Sequence, residues 1–297
     1  MKPSRAPLAE VARVTQRLAV LLAAGVAPTS AWEYLAPDSP IAASVDPFDV
    51  ADSLVAAAAT VRPLERGAWR GLAAAWSVAT DAGAPLAASL RDYSASLRSL
   101  ADAQRDIEVA LAAPVATARM VMALPVVGVL FGMALGFNTV ATLFTTAPGW
   151  VCLGIGAVLM FAASRWNRRL VAAAQPTDAA PGIECDLMAI AVSGGGSLAR
   201  ARKAVETATA RFGITPRLDR IEPVIELSRR AGVPAADLLR AEADELRRAA
   251  RANAQRQAAA LSVRLMLPLG LCVLPAFMVL GVFPLLLAVV SSTVGTF

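Results

Sequence analysis

Between Met120 and Ser164 the chain runs for 45 residues without an Asp, Glu, Lys or Arg. The hydrocarbon core of a bilayer, about 30 Å thick, takes ~20 apolar residues of helix. The stretch is therefore long enough for two crossings and a turn. Thr145-Thr146-Ala147-Pro148-Gly149-Trp150 supplies the turn signal: Pro and Gly end one helix, and Trp favours the interface where the next begins. The expected element is a hairpin, span one over Met120–Asn138 and span two over Trp150–Trp166, which satisfies its own backbone polar groups as lipid cannot. A buried hairpin of a soluble protein normally carries a polar stripe, which this stretch lacks. A second charge-free run of 33 residues, Leu265 to Phe297, holds a third span and a short tail. Pro268, Pro275 and Pro284 inside it bend a membrane helix rather than end it, as one kinked span or two short ones.

The whole chain of 297 residues agrees with this reading, being 57% hydrophobic with a mean hydropathy of +0.56, too apolar for an ordinary soluble domain. The opening residues Met1 to Pro7 lead into an amphipathic stretch, not an unbroken apolar core, so the hairpin is the expected first insertion signal. Residues 1–119 hold 11 bases and 12 acids, and residues 165–264 hold 17 bases and 11 acids. Arg119, Arg165, Arg168, Arg169, Arg256 and Arg264 flank the three spans, and orientation follows such flanking cations. The N-terminal and central regions are then expected on the cytoplasmic side of the inner membrane and the uncharged C-terminus outside. There is no histidine, which excludes His-based triads and His metal sites. Cys152, Cys185 and Cys272 show no metal or redox spacing. No cofactor is expected.

The remaining sequence reads as amphipathic helices with regular breaks. Val11, Val14, Leu18, Leu21 and Leu22 recur at helical spacing before a break at Gly25 and Pro28. A helix over 64–81 meets a break at Gly83 and Pro85, and a long charged helix follows. After a linker at 176–182 the order returns: a helix over 183–192, a break at Gly195, further helices, a break at Gly232 and Pro234, and a long charged helix leading into the third span. Ala82-Gly83-x-Pro85 aligns with Ala231-Gly232-x-Pro234 at a shift of 149, and Gly25 aligns with Gly195 at a shift of 170. This is an internal repeat. The expected fold is an all-α membrane protein with two homologous cytoplasmic helical bundles, 1–119 and 167–264, a hairpin at 120–166 and a last span at 265–297.

Little in the sequence is equipped for covalent chemistry. Ser193-Gly194-Gly195-Gly196-Ser197 lacks the Gly-Lys-Ser/Thr of a phosphate-cradling loop and reads as a helix break. The spans carry no ionisable group, which argues against an ion-coupled transporter. A permease or channel subunit is the alternative class, and Ser164 is the hydroxyl an intramembrane protease would need, without a visible base. Gly128, Gly132 and Gly136 make a small-residue ladder in span one, with Gly154 and Gly156 in span two, suited to close helix packing or self-association. In the helix over 240–256, Arg240, Arg247, Arg248 and Arg251 alternate with Glu242, Asp244 and Glu245. They are either paired along a solvated helix or a face for a partner. Arg165, Arg168, Arg169 and Arg264 are also placed for anionic lipid. Basic residues interleaved with acids and without aromatic partners do not make a nucleic-acid surface.

The stretch Leu18 to Pro28, its poorer copy around Gly195, the two Gly-x-Pro elements, the hairpin and the last span led by Arg264-Leu-Met-Leu-Pro268 together resemble the type II secretion F-domain family. These are inner-membrane platform proteins of type II secretion systems and type IV pili, including the tight-adherence (Flp) branch. The resemblance implies a non-enzymatic scaffold in an oligomeric assembly with other membrane components. Its cytoplasmic domains would sit on a hexameric ATPase, a separate chain, and its membrane part would help move pilin or pseudopilin subunits.

Overall fold

A computed structural model describes residues 7–134, 144–173, 181–215, 217–284 and 286, and among these the chain is helical with no strand. The main helices are α1 (Pro7–Ala23), α2 (Pro28–Leu35), α3 (Val50–Ala57), α4 (Pro63–Ala82), α5 (Leu86–Ala134), α6 (Ala147–Ala173), α7 (Ile183–Ser193), α8 (Leu198–Phe212), α9 (Ile221–Ala231) and α10 (Ala235–Arg264). They divide into two compact units. The first joins Met1–Arg105 with Pro176–Asn253, and the second joins Asp106–Gln175 with Ala254–Phe297. The two stretches expected as separate bundles thus contribute to one unit with a continuous hydrophobic core.

That core is built on α4. Ala68, Trp69, Gly71, Leu72, Ala73, Ala74, Ala75, Val78 and Ala79 are buried along it, and so many small side chains let neighbouring helices approach closely. α4 packs against α1 and α3 from the first half and against α7 and α8 from the second. At Gly71 an added Cβ would collide with the Tyr93 hydroxyl and lie 2.7 Å from Ile183 Cδ1. The missing side chain is therefore a slot for one residue of α5 and one of α7. The Tyr93 hydroxyl donates to the Ala68 carbonyl at 2.7 Å, which satisfies it in the interior. Trp32 and Trp76 pack tilted, their centroids 6.0 Å apart.

The helix breaks have a common geometry. Gly25, Gly83, Gly195 and Gly232 all have positive φ, between 66° and 86°, the left-handed conformation that closes a helix at little steric cost only for glycine. At Gly25 and Gly83 the closing bonds are Val26 N–H to Leu21 O at 3.1 Å and Ala84 N–H to Ala79 O at 2.9 Å. Pro85 and Pro234 sit one residue ahead of α5 and α10, where their carbonyls accept from Ser89 and Asp237 N–H. The two halves also touch at their corners: a Cβ on Gly194 would run into the Ala82 carbonyl.

Among the described residues two helices are long and apolar enough to cross a membrane, Ala147–Ala172 in the second unit and the continuous run Ala235–Val282, which enters that unit at Ala254. Only 22% and 29% of their most apolar windows are buried, whereas a soluble core helix would be mostly covered. α6 starts at Ala147, three residues before the expected span, because Pro148 and Gly149 fit within its first turn. Thr146 Oγ accepts from Gly149 N–H at 3.1 Å, and the Trp150 indole donates to the Phe144 carbonyl at 2.9 Å. α6 also continues past Trp166, so Arg168 and Arg169 stand on the helix itself. For span one, the apolar helical stretch Met122–Phe131 within α5 is described, and Asn138 lies outside the described residues. The prolines of the last run coincide with a change of winding: Leu269–Val273 and Met278–Val282 are π-helical, following Pro268 and Pro275. The wider turn accommodates the missing proline N–H without breaking the run.

Of the glycine ladder, Gly128 faces the last run. Its added Cβ would meet the Phe277 ring at 2.9 Å and Gly281 Cα at 3.5 Å. Gly156 on α6 receives Leu280 in the same way. Gly132 is in α5, and Gly136 lies outside the described residues.

The three glycines of the 194–196 break should respond differently to alanine. Gly196 has ordinary room, its nearest neighbour Arg200 Cδ at 3.6 Å, and Gly196→Ala should be nearly neutral. Gly195→Ala, in open space at φ +76°, should cost roughly 1–2 kcal/mol of left-handed strain. Gly194→Ala, which must displace backbone at Ala82, should cost the most, about 3 kcal/mol. Thermal unfolding followed by thiol labelling of buried Cys185, in a chain with Cys152 and Cys272 replaced by alanine, ranks the three.

Candidate functional site

The arginines of α10 divide by what each finds across from it. Arg240 donates through Nε to Asp92 on α5 at 2.9 Å, and further to Asp237 and to Ser193 Oγ, each at 3.3 Å. One residue thus ties α10, α5 and the end of α7. Arg248 pairs with Glu245 at 3.0 Å, with both side chains well exposed, and Arg251 is exposed. These pairs three residues apart follow the self-satisfying pattern of a solvated helix, worth a few tenths of a kcal/mol each. Arg248 and Arg251 face outward.

Arg247 corrects the sequence-based reading. Its side chain is only 7% exposed, and it donates to Asp186 on α7 at 2.8 Å and to Asp244 at 2.6 Å. It is held inside the unit and is not presented to a partner. Asp186 in turn is 10% exposed and also meets Ser96 Oγ of α5 at 3.4 Å. The network Ser96–Asp186–Arg247–Asp244 therefore joins α5 and α10 to α7.

α7 explains why the pair is there. It is buried along nearly its whole length, Ile183 to Ala191, so no solvated face is available for an acid. A carboxylate in such a helix must find a cation. Burial pushes the Asp186 carboxyl up to about 6, against the opposing pull of Arg247 and Ser96. Burial, with Glu184 and Asp186 adding to it, pushes the neighbouring Cys185 thiol up to about 12. The two acids Glu184 and Asp186 at the head of an otherwise apolar run were the signal in the sequence for a buried polar partner. The partner of Asp186 lies 61 residues away, and no local pattern identifies which arginine it is.

Ser164 donates to the Phe161 carbonyl at 2.8 Å, a bond internal to α6. Among the described residues no group of three or more Cys, Asp or Glu is placed to hold a metal ion.

Removing one partner of a buried ion pair strands the other. Asp186→Ala should therefore lower stability by about 3–5 kcal/mol, whereas Asp186→Leu combined with Arg247→Met should recover most of the loss. Labelling of Cys185 reads both. The pH dependence has a definite sign. The folded chain keeps a proton on Asp186 that the unfolded chain releases between its ordinary pKa of 3.8 and about 6. Stability from this site is then fullest below pH 4 and is lost as the pH rises through 6. Relative to Asp186→Asn, the wild-type chain should gain stability as the pH falls from 7 to 4.

Residues 170–283, from the end of α6 through α7–α10 into the last apolar run, match the family model described as type II secretion system (T2SS), protein F. The search of curated proteins and the search of solved structures each returned no match. The matched stretch contains the Gly195 and Gly232 breaks, the Asp186–Arg247 pair and the π-helical turns that follow Pro268 and Pro275. Residues 170–283 are thus similar to the F protein of type II secretion systems.

Proposed function

We propose that the chain is an inner-membrane platform of a type II secretion or type IV (tight-adherence) pilus machine, coupling a cytoplasmic hexameric ATPase to the export of pilin or pseudopilin. The observation that carries this reading is the F-protein match over 170–283. The two long, mostly uncovered apolar helices support the membrane part of it. In this reading the first unit is cytoplasmic and holds two copies of one helical module. The second unit crosses the membrane three times, the first crossing beginning in the apolar stretch Met122–Phe131 of α5. Arg119, Arg165, Arg168, Arg169, Arg256 and Arg264 hold the flanks inside, and the C-terminus emerges outside. Arg248 and Arg251, outward on α10, are the cations offered to the ATPase or to another copy of the chain.

The topology is tested at Phe48, 93% exposed in the first unit. Phe48→Cys, in a chain whose own cysteines are alanine, should resist an impermeant thiol reagent in intact spheroplasts and react in inverted vesicles. The partner is tested by purifying the full chain from membranes. It should retain the secretion ATPase, and Arg248→Glu with Arg251→Glu should cut that retention about tenfold without lowering the unfolding temperature. Solute flux in vesicles without ATPase retention would instead favour a permease.

A further inference from the structure

Phe161, Ser164, Arg165, Arg168, Arg169 and Ala172 line a cleft of about 210 Å³ along α6. Their spacing of three and one residues places them on a single helix face. The other side of α6 is packed: Ala163 is fully buried and Asn167 is 7% exposed. The three arginines are exposed, and none pairs with a carboxylate among the described residues. Arg17, Arg202, Arg211, Arg229, Arg240, Arg247 and Arg248 all have such a partner. Three cations within little more than one helical turn repel one another unless an anion stands between them.

We propose that Arg165, Arg168 and Arg169 bind the phosphate groups of an anionic phospholipid, and hold a headgroup with two phosphates more tightly than one with a single phosphate. A guanidinium presents a planar fork that grips phosphate oxygens in pairs. Ser164 gives its proton to the Phe161 carbonyl, so the donors of the site are the three arginines. Three positive charges are better balanced by two phosphates than by one. Charge alone would also suit free phosphate, and the apolar surface decides for lipid. Phe161 and Val158, each 69% exposed, continue the face toward the N-terminal end of α6, and Trp166 is 38% exposed beside the arginines. An acyl chain lies along such a surface, and an inorganic ion gains nothing from it. The proposal rests on the reading that α6 crosses the bilayer.

The test uses the full chain, washed in detergent after reconstitution with cardiolipin, phosphatidylglycerol or phosphatidylcholine, with retained lipid counted by native mass spectrometry. Cardiolipin should be retained at least tenfold over phosphatidylcholine and severalfold over phosphatidylglycerol. Arg165→Lys, Arg168→Lys and Arg169→Lys together keep the charge and the membrane orientation but lose the fork, and should reduce cardiolipin retention about tenfold. Equal retention by the lysine variant overturns the site, as does a wild-type chain that prefers no anionic lipid. Displacement of cardiolipin by millimolar pyrophosphate overturns the lipid assignment in favour of a free anion. Carbonate washing of native membranes separates the premises: a resistant chain without lipid preference defeats the site alone, and an extracted chain defeats the membrane reading together with it.

Discussion

The first unit depends on how closely helices can approach α4. Alanine and glycine at 68, 71, 73, 74, 75 and 79 remove the bulk that would hold neighbours apart, and the large rings at Trp69 and Trp76 fill what remains. Dispersion attraction falls steeply with distance, so a helix that admits neighbours on several sides gathers much of the core around itself. α1 and α3 use one part of that surface, and α7 and α8 use another. Neither half of the sequence covers α4 alone, which is the physical reason that the two stretches make one unit.

Polar ties act on top of that packing. Asp92 with Arg240 and Ser96 with Asp186 and Arg247 are spaced one turn apart on α5, so the same face of that helix is fastened twice to the second half. The first tie is partly solvated and contributes little by itself. The second is buried, and its role is chiefly one of matching: an acid on α7 tolerates only a neighbour that brings a cation to the same depth. Such a constraint fixes the register of α10 against α7 more sharply than alanines and leucines can.

The helix boundaries were legible because they depend on local chemistry. Gly25, Gly83, Gly195 and Gly232 each stand where an apolar period stops, and each has the left-handed φ that such a stop requires. The apolar character of α6 and of the last run was equally plain, since a charge-free stretch needs no knowledge of its neighbours. The sharing of one core was not legible, because the slot at Gly71 is filled by Tyr93 and Ile183, one of them more than a hundred residues along the chain. The same holds for Arg247: its i−3 partner Asp244 is visible in sequence and suggests a surface pair, while the partner that buries it is Asp186. Leu280 on Gly156 is a further case, since the sequence offered the glycine but not its occupant.

The discontinuity of the first unit has a consequence for biosynthesis. α4 ends at Ala82, and α7, which must cover it, begins at Ile183. At roughly 5–20 residues per second the ribosome needs on the order of 5–20 s to make the intervening segment, which includes the apolar helix α6. For those seconds the part of the α4 surface that α7 and α8 cover is bare, and the α7 of a neighbouring polysome product is chemically identical to its own. Spacing of ribosomes on the message, or a holdase at the tunnel exit, then decides whether each chain closes on itself or exchanges segments with the next.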